Sequence, residues 1–421
     1  MNVHAPTNQT PAERALIDQF DLSLPGLPGD AAVAARRNRA FDILRAGLPT
    51  RKVEAWHYTD LRRLLASVPS PEAKGSAPSL APLIEGSSIL TVANGQAGEA
   101  PAIEGVTIAG LRDALTSGTA AGTLAAFDDH DAVGALNAAF VSDGFGLSIA
   151  PGAEIARPIE IQHLQAGGQT HARFAVDVGT GAKAVFVERQ TGAAEALVSC
   201  VSELTVADDA DVTWIILQEQ PDTVTQLGQL SATIGKNARL TVFFLNNGGK
   251  LVRQELRIVA AGEGCEFKLR GVNLLAGSTH CDVTMVLDHD AYGATSTETV
   301  RNVITDRAHG VFQGQIRVDR EAQKTDAKMA CNTLLLSDEA QFSTKPELEI
   351  FADDVACGHG ATVTEIERQH LFYLMARGVP EKQARGLLVK AFVAEVIEEL
   401  DDEAIVEALV AKLDAWFVEH G

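Results

Sequence analysis

Residues 235–242 read GKNARLTV and residues 262–269 read GEGCEFKL. Both stretches are variants of one unit, in which a turn is followed by a small residue and then by a strand-like run. Self-similarity of this kind favours a β-helix, in which coils stack and the backbone groups of one coil pair with the next. A β-sandwich and a barrel have a similar spacing of strands, so the spacing alone leaves these alternatives open.

The middle of the chain, residues 147–355, repeats this pattern of short β-branched runs separated by small turn residues. The runs follow one another at intervals of roughly 10–20 residues, which is typical of all-β architectures. Only Pro221 lies between Pro158 and Pro346, so the backbone there can keep its N–H groups in hydrogen-bonded ladders. No segment of helical length and period interrupts the region, which disfavours a doubly wound α/β sheet.

Both ends of the chain have helical patterns. Near the N-terminus, residues 12–20 and 31–46 carry apolar residues at helical spacing, whereas residues 67–82, rich in Pro, Ser and Ala, predict a loop. The apolar stripes of the last two C-terminal helices would either pack against their own domain or form a docking face for a partner. The predicted C-terminal helices span residues 365–376, 380–400 and 403–419.

The sequence therefore predicts a mainly β fold with helical ends. We expect an N-terminal helical or mixed region over residues 1–146, a β-helix core over residues 147–363 and a C-terminal helical domain over residues 364–421. A chain of 421 residues is long enough to bury a large core in two or three such units.

The composition is acidic, with 35 Lys and Arg against 56 Asp and Glu, a formal net charge of −21. Because such a surface repels phosphate backbones, nucleic-acid binding is not expected. No apolar run approaches the roughly 18 residues that cross a bilayer. The N-terminus has no basic stretch followed by an apolar one, so no secretion signal is predicted.

The five cysteines are scattered and contain no Cys-x-x-Cys pair. This pattern is typical of free thiols in a reducing cytoplasm and argues against a closed structural zinc site. Known catalytic motifs are also missing: residues 247–251, NGGKL, lack the spacing and the hydroxyl residue of a phosphate-binding loop. The chain is therefore not expected to hydrolyse ATP or to be an enzyme.

One short motif, Cys357-Gly358-His359, carries side chains that can take part in chemistry. A single residue between a thiol and an imidazole puts both side chains on the same face of an extended strand. There they can share a soft metal or a sulfur species, although a buried thiol and a hydrogen-bonded histidine are common in protein cores as well. Cys331 could lie one coil away, and for it a small buried hydrophobic residue is the simpler interpretation.

Residues 48–61 read LPTRKVEAWHYTDL, residues 344–355 read TKPELEIFADDV and residues 357–362 read CGHGAT. Together with shorter matches along essentially the whole chain, these stretches resemble the SufB/SufD family of iron–sulfur cluster assembly proteins. The phrase His-Gly-Ala-Thr, where SufB proteins have Glu-His-Glu-Ala-Thr, resembles the SufD branch of that family.

The resemblance implies a right-handed parallel β-helix that pairs with SufB, and C-terminal helices that dock the ATPase SufC. It implies a non-catalytic scaffold for de novo cluster formation and iron acquisition, with a transient cluster or iron at the SufB interface and no ATP site of its own. We also expect the lone chain to form a homodimer. The residues expected to contact SufC are Phe372, Tyr373, Arg377, Leu387, Leu388 and Phe392.

The same resemblance assigns expectations to the motif residues. His359 matches a SufD histidine thought to contribute to cluster formation at the SufB interface, and Cys357 is a further possible contact. Cys331 aligns with the SufB cysteine that receives sulfur, but SufD proteins often have another residue there, so we expect a bystander thiol. The rival function, a β-helix enzyme acting on acidic polysaccharide, is disfavoured because the middle of the chain has few aromatic residues.

Overall fold

A computed structural model of the chain describes residues 9–73 and 75–420. The N-terminal region mixes helices with short strands: α1 (Pro11–Ser23), α2 (Ala31–Arg45), α3 (Leu61–Leu64), β1 (Ser88–Ala93), β2 (Gln96–Ala97), β3 (Val106–Gly110), α4 (Leu111–Thr116) and α5 (Ala132–Phe140). The first core strands are β4 (Asp143–Ile149), β5 (Ile159–Gln165), β6 (Gly168–Val178), β7 (Lys183–Gly192), β8 (Ala196–Val206), β9 (Asp211–Glu219), β10 (Thr225–Ile234) and β11 (Arg239–Asn247).

The remaining core strands are β12 (Leu251–Ala260), β13 (Glu266–Leu275), β14 (His280–His289), β15 (Thr295–Ile304), β16 (His309–Val318), β17 (Asp326–Leu335), β18 (Gln341–Ile350) and β19 (Ala356–Thr364). The C-terminal helices are α6 (Arg368–Ala376), α7 (Glu381–Ile397) and α8 (Glu403–His420). The helices predicted from apolar spacing are all present, with ends that differ by a few residues. Among the described residues, no helix is both long and apolar enough to cross a membrane.

The core strands alternate between two sheets. From β5 onwards each odd-numbered strand pairs in parallel with the next odd-numbered strand, and the even-numbered strands from β4 onwards do the same in the other sheet. Each pair of consecutive strands is thus one coil that stacks on the coil before it. The predicted parallel β-helix core with helical ends is confirmed.

Parallel pairing in register places equivalent side chains in columns along the axis of the solenoid. Phe186, Trp214, Val242 and Leu269 form one such column inside the odd-strand sheet, and all four are buried. Side chains alternate between the two faces of a strand, so the residues that precede and follow each of these four in the sequence point outward. The core is therefore a stack of similar layers, which is why the sequence repeats imperfectly.

A column of amide side chains runs beside the apolar ones. The Nδ2 atom of Asn246 donates to Oδ1 of Asn273 at 2.9 Å, and Nδ2 of Asn273 donates to Oδ1 of Asn302 at 2.7 Å. The column continues with Asn302, which donates to Oγ1 of Thr333 at 3.0 Å. Because each amide is bonded to the next coil, these polar groups are accommodated in the interior.

The turns at one corner of the coils also form a stack. Asn237 and Gly264 occupy equivalent positions in the two quoted repeats, and both have positive φ, 52° and 67°. The Asn237 N–H donates to the Glu263 carbonyl of the next coil at 2.9 Å, and the Gly264 N–H donates to the Tyr292 carbonyl at 3.1 Å. Asn and Gly tolerate this left-handed conformation well, which explains their place in the repeat.

The N-terminal helices cover the outer face of the even-strand sheet. Residues 53–60 lie across that face. There the Arg253 guanidinium is 3.9 Å from the centre of the Trp56 ring. Arg253 is fully buried and also donates to Asp282 at 2.6 Å and to the Ala55 carbonyl at 2.8 Å. The LPTRKVEAWHYTDL stretch therefore attaches the N-terminal region to the solenoid.

The C-terminal helices α7 and α8 cover the opposite, odd-strand sheet. Val393 and Ile397 of α7 and Leu413 of α8 are buried in one cluster with Phe243 and Val272 of the solenoid. Of the two alternatives for the apolar stripes, packing against the chain itself accounts for these buried faces. The surfaces of α6, α7 and α8 that stay exposed remain available to a partner.

The amide column leads to a test of what holds the coils in register. Replacing Asn273 by Ala breaks the bonds to both neighbouring coils and leaves buried amide groups unpaired, so we expect the free energy of unfolding to fall by about 2–4 kcal/mol. The control Asn332→Ala changes a half-exposed amide on the outward face of β17, where water replaces the lost bonds. Urea unfolding followed by circular dichroism measures both, and an equal loss in the two variants would contradict a stabilising role for the column.

Candidate functional site

The two ends of the solenoid differ in how they are covered. At the N-terminal end, β2 and β3 pair antiparallel with β1 and β4 and close both sheets. At the C-terminal end, β18 and β19 are the last strands of their sheets, and in the described residues no further strand pairs with either. The last coil thus presents two rows of unpaired backbone N–H and C=O groups.

Cys357 and His359 lie on this last coil, in β19. Parallel register puts Cys357 beside Ala327 and His359 beside Met329 of β17. Because Ala327 and Met329 belong to the buried core, both motif side chains continue inward-facing columns. His359 is nevertheless exposed and Cys357 half-buried, since they lie on the last coil of the described residues. The structure thus brings the thiol and the imidazole to one face of a strand at an open end.

The backbone of β19 is accessible on either side of His359. A Cβ atom added to Gly358 or Gly360 would meet no heavy atom within 4 Å, so the outward face of β19 is bare at both positions. A strand of this kind, with small residues outside and a thiol and an imidazole inside, allows close approach of another backbone.

Cys331 lies on the neighbouring strand but in a different environment. It pairs in register with Ala361, one column away from His359, and is 1% exposed. Asn302 Nδ2 donates to its sulfur at 3.4 Å, and burial raises the pKa of Cys331 to about 12. A thiol that stays protonated is a poor nucleophile and a poor metal ligand. Its environment agrees with the expected bystander thiol, whose role stays a prediction.

Sequence reasoning missed Glu298, which lies in the same inward column as His359. Register places Glu298 of β15 beside Met329, and Met329 beside His359. Glu298 is 1% exposed, and neither of its carboxylate oxygens has a hydrogen-bond partner among the described residues. Burial raises its pKa to about 8, so the group is mostly protonated at neutral pH. In the strand sequence TSTETVRNVI, Glu298 falls on the same face as the apolar Val300. This alternation could have predicted that Glu298 faces the core.

The site is incomplete as a metal centre within one chain. In the part of the chain that the structure describes, no three His, Cys, Asp or Glu side chains lie close enough together to hold a metal ion. Cys357 and His359 offer two ligands of types that suit iron. Any further ligands would have to come from a substrate, from sulfide or from another chain.

The residues expected to contact a partner divide into two groups. Phe372, Tyr373 and Leu387 are 73%, 58% and 53% exposed, which is high for apolar side chains. Arg377 packs over the Tyr373 ring at 5.2 Å. Leu388 and Phe392 are only half-exposed and line a cleft of about 890 Å³ between α6, α7 and the last strand of the odd sheet.

The burial of the five thiols predicts how they react. We expect one thiol, that of Cys357, to react with Ellman's reagent in the folded protein, and all five to react in denaturant, because the other four are buried. Cys357→Ser should remove the native reaction and Cys331→Ser should leave it unchanged. Rapid labelling of Cys331 in the folded chain would contradict the buried, protonated thiol described above.

Comparison with known proteins gives the family. A family model described as "SUF system FeS cluster assembly, SufBD core domain" matches residues 161–392, more than half of the chain. The chain is 28% identical over 388 residues to the iron–sulfur cluster assembly protein SufD of Escherichia coli, covering 88% of this chain and 90% of that protein.

Two further relatives match over shorter segments. A SufBD family iron–sulfur cluster assembly protein of Synechocystis is 34% identical over 202 residues, which cover 48% of this chain and 44% of the relative. Another from Staphylococcus saprophyticus is 26% identical over 279 residues, 65% of this chain and 60% of the relative. The resemblance read from the sequence is thus confirmed, and the chain belongs to the SufBD family of the SUF system for iron–sulfur cluster assembly.

Proposed function

We propose that this chain is a SufD-like, non-catalytic scaffold that pairs with SufB through its last coil and docks the ATPase SufC with its C-terminal helices. The observation that carries the proposal is the uncovered coil formed by β18 and β19, with Cys357 and His359 on it. Free thiols in all five cysteines support a reducing compartment, which we propose to be the cytoplasm.

The open strand edges support a solenoid as the partner at this end. β18 and β19 are 10 and 9 residues long, and long unpaired edges of this kind invite pairing with another chain. The end coil of a second solenoid offers two edges in a similar arrangement, so both sheets can continue across the interface. We expect the lone chain to use the same edges to form a homodimer when SufB is missing.

The chemistry of the last coil supports a shared assembly site. In the proposed complex, His359 and Cys357 contact iron or a nascent cluster, which is the cargo of the machine, and SufB supplies the ligands that this chain lacks. Thiolate and imidazole both suit iron, and a site divided between two chains can release its product when the chains move. Cys331 takes no part because its thiol is buried and protonated.

The exposed aromatic residues of α6 support the ATPase as the second partner. Phe372, Tyr373 and Leu387 leave an apolar patch on the surface of a helical unit that is already packed on its own solenoid. Aromatic residues and arginine are typical of the centres of protein interfaces, and Arg377 lies over Tyr373. Leu388 and Phe392 would contribute at the mouth of the adjacent cleft.

Anaerobic reconstitution with SufB and SufC tests the proposal. The wild-type chain should form a stable complex with both and yield a cluster seen in optical and Mössbauer spectra when iron, a sulfur source, a reductant and ATP are added. His359→Ala should form the same complex but lower the cluster yield by about 10-fold or more, because a ligand at the interface is lost.

The matched control for that variant is His57→Ala, which removes an exposed histidine outside the last coil. Its cluster yield should equal that of the wild-type chain. An unchanged yield in His359→Ala would remove His359 from cluster formation. Failure of the wild-type chain to form a complex with SufB and SufC would reject the scaffold function as a whole.

A further inference from the structure

Three side chains with sulfur or nitrogen donor atoms share the inward face at the C-terminal end of the solenoid. Cys357 and His359 lie there on β19, and Met329 lies beside His359 on β17 in parallel register. Neighbouring strands are about 4.8 Å apart and alternate residues of one strand are roughly 7 Å apart, so the three Cα atoms form a compact triangle. Side chains that start from such a triangle and share one face can reach a common atom.

Met329 adds a thioether to the thiol and the imidazole described above. It is 3% exposed and belongs to the buried core of the solenoid, against which Cys357 also packs. Its Sδ atom lies over Gly314 of β16, where an added Cβ atom would collide with it. Because a methionine side chain is unbranched and has three rotatable bonds, Sδ can turn toward the last coil without a change in the backbone.

Residues of these three types are few in the chain. The sequence has five Cys, four Met and eleven His among its 421 residues. Of the five cysteines, Cys357 is the one that is not buried, and the inward neighbours of its coil are His359 and Met329. A methionine in a core is ordinary packing by itself. A methionine beside an accessible thiol and an exposed imidazole is in addition a set of metal ligands.

Carboxyl groups beside this donor set favour a cation there. Glu298 is next to Met329 in the inward column, and in the part of the chain that the structure describes neither of its carboxylate oxygens has a hydrogen-bond partner. Burial raises the pKa of the Cys357 thiol, and the nearby Asp326 and Glu298 raise it further. Groups that disfavour a negative charge on the sulfur stabilise a positive charge at the same place.

The types of the three ligands select the metal. Thiolate and thioether sulfurs are soft ligands that suit Cu(I), and imidazole suits copper as well. Zinc sites are built from cysteine, histidine and carboxylate ligands, so a thioether lies outside their usual set. Cu(I) is stable with three ligands. The further ligands that iron needs must come from elsewhere, whereas for Cu(I) the thioether of Met329 completes the set.

We propose that Cys357, His359 and Met329 form a Cu(I)-binding site at the C-terminal end of the solenoid. On binding, the S–H bond of Cys357 breaks, its proton passes to water and a Cu–S bond forms. Copper enters and stays as Cu(I), so no electron is transferred. One imidazole nitrogen of His359 and the Met329 sulfur complete the coordination. The charges of the thiolate and Cu(I) cancel, which suits a half-buried position.

The copper site shares two residues with the proposed iron contact but does not depend on it. Cys357 and His359 belong to both, and Met329 belongs to the copper site alone. Because soft sulfur ligands favour Cu(I) over Fe²⁺, bound copper excludes iron from the shared residues. All three ligands come from one chain, so copper binding is measured without SufB or SufC. It can therefore fail while the scaffold function holds, and the reverse.

Anaerobic competition with the Cu(I) chelator bathocuproine disulfonate measures the binding. The full chain should withdraw one Cu(I) per chain from the coloured chelate, and the loss of absorbance gives the Kd. Met329→Leu nearly keeps the side-chain volume and removes the sulfur, so the Kd should weaken by at least about 10-fold. Cys357→Ser and His359→Ala should weaken it at least as much, because each also removes a ligand.

The two other methionines that the structure describes provide matched controls. Met285→Leu makes the same change at a buried position two coils from the end, and Met375→Leu makes it at an exposed position on α6. Both variants should bind Cu(I) like the wild-type chain. X-ray absorption at the copper edge gives a second readout: two sulfur neighbours in the wild-type chain and one in Met329→Leu. Thermal unfolding of the copper-free variants shows that each is folded.

Three results would overturn the proposal. The first is that the wild-type chain withdraws no Cu(I) from the chelator. The second is an equal Kd in Met329→Leu and the wild-type chain, which would leave Met329 as a core residue only. The third comes from Zn²⁺, whose binding should not change in Met329→Leu. Equal weakening for Zn²⁺ and Cu(I) would mean that the substitution disturbs the coil and removes no ligand.

Discussion

Parallel pairing of each strand with its equivalent in the next coil is the constraint on which the whole structure depends. It places equivalent residues of successive coils in columns, with neighbours in a column about 4.8 Å apart. Apolar side chains therefore contact apolar ones, and amides contact amides. The Asn246–Asn273–Asn302 ladder and the stacked turns at Asn237 and Gly264 are consequences of the same register. A change in one coil is therefore felt directly by its two neighbours, and only indirectly elsewhere.

The solenoid has two ends, and the strand edges at these ends are covered differently. Antiparallel strands and helices close the N-terminal end, whereas no strand in the described part of the chain pairs with the outer edges of the last coil. The inward columns that bury Met329 and Ala327 deeper in the core leave His359 exposed and Cys357 half-buried at that end. An inward-facing position that holds a core residue in the inner coils thus holds a candidate ligand in the last coil. No additional structural element is needed to position that ligand.

Sequence reasoning predicted what depends on local pattern. The repeat of Asn237 and Gly264 indicated the stacked turns, and the one-residue spacing put Cys357 and His359 on one face. It could not find contacts that join distant parts of the chain, such as Trp56 over Arg253, because nothing in the local pattern of either residue names its partner. Glu298 was missed for a related reason: a charged residue in a strand is usually taken to face water, and only the register shows that it faces inward. The sequence likewise could not show that Leu388 and Phe392 line a cleft whereas Phe372 is exposed, because this difference depends on how α7 packs on the solenoid.

We propose that this chain meets a second solenoid at the uncovered strand edges of its last coil. Hydrogen–deuterium exchange of the backbone amides tests it most directly, with the chain measured alone as a monomer and in complex with SufB. The account predicts rapid exchange at the free edges of β18 and β19 in the lone chain, and strong protection of both strands in the complex. A stable complex in which β18 and β19 exchange as fast as in the lone chain would contradict it.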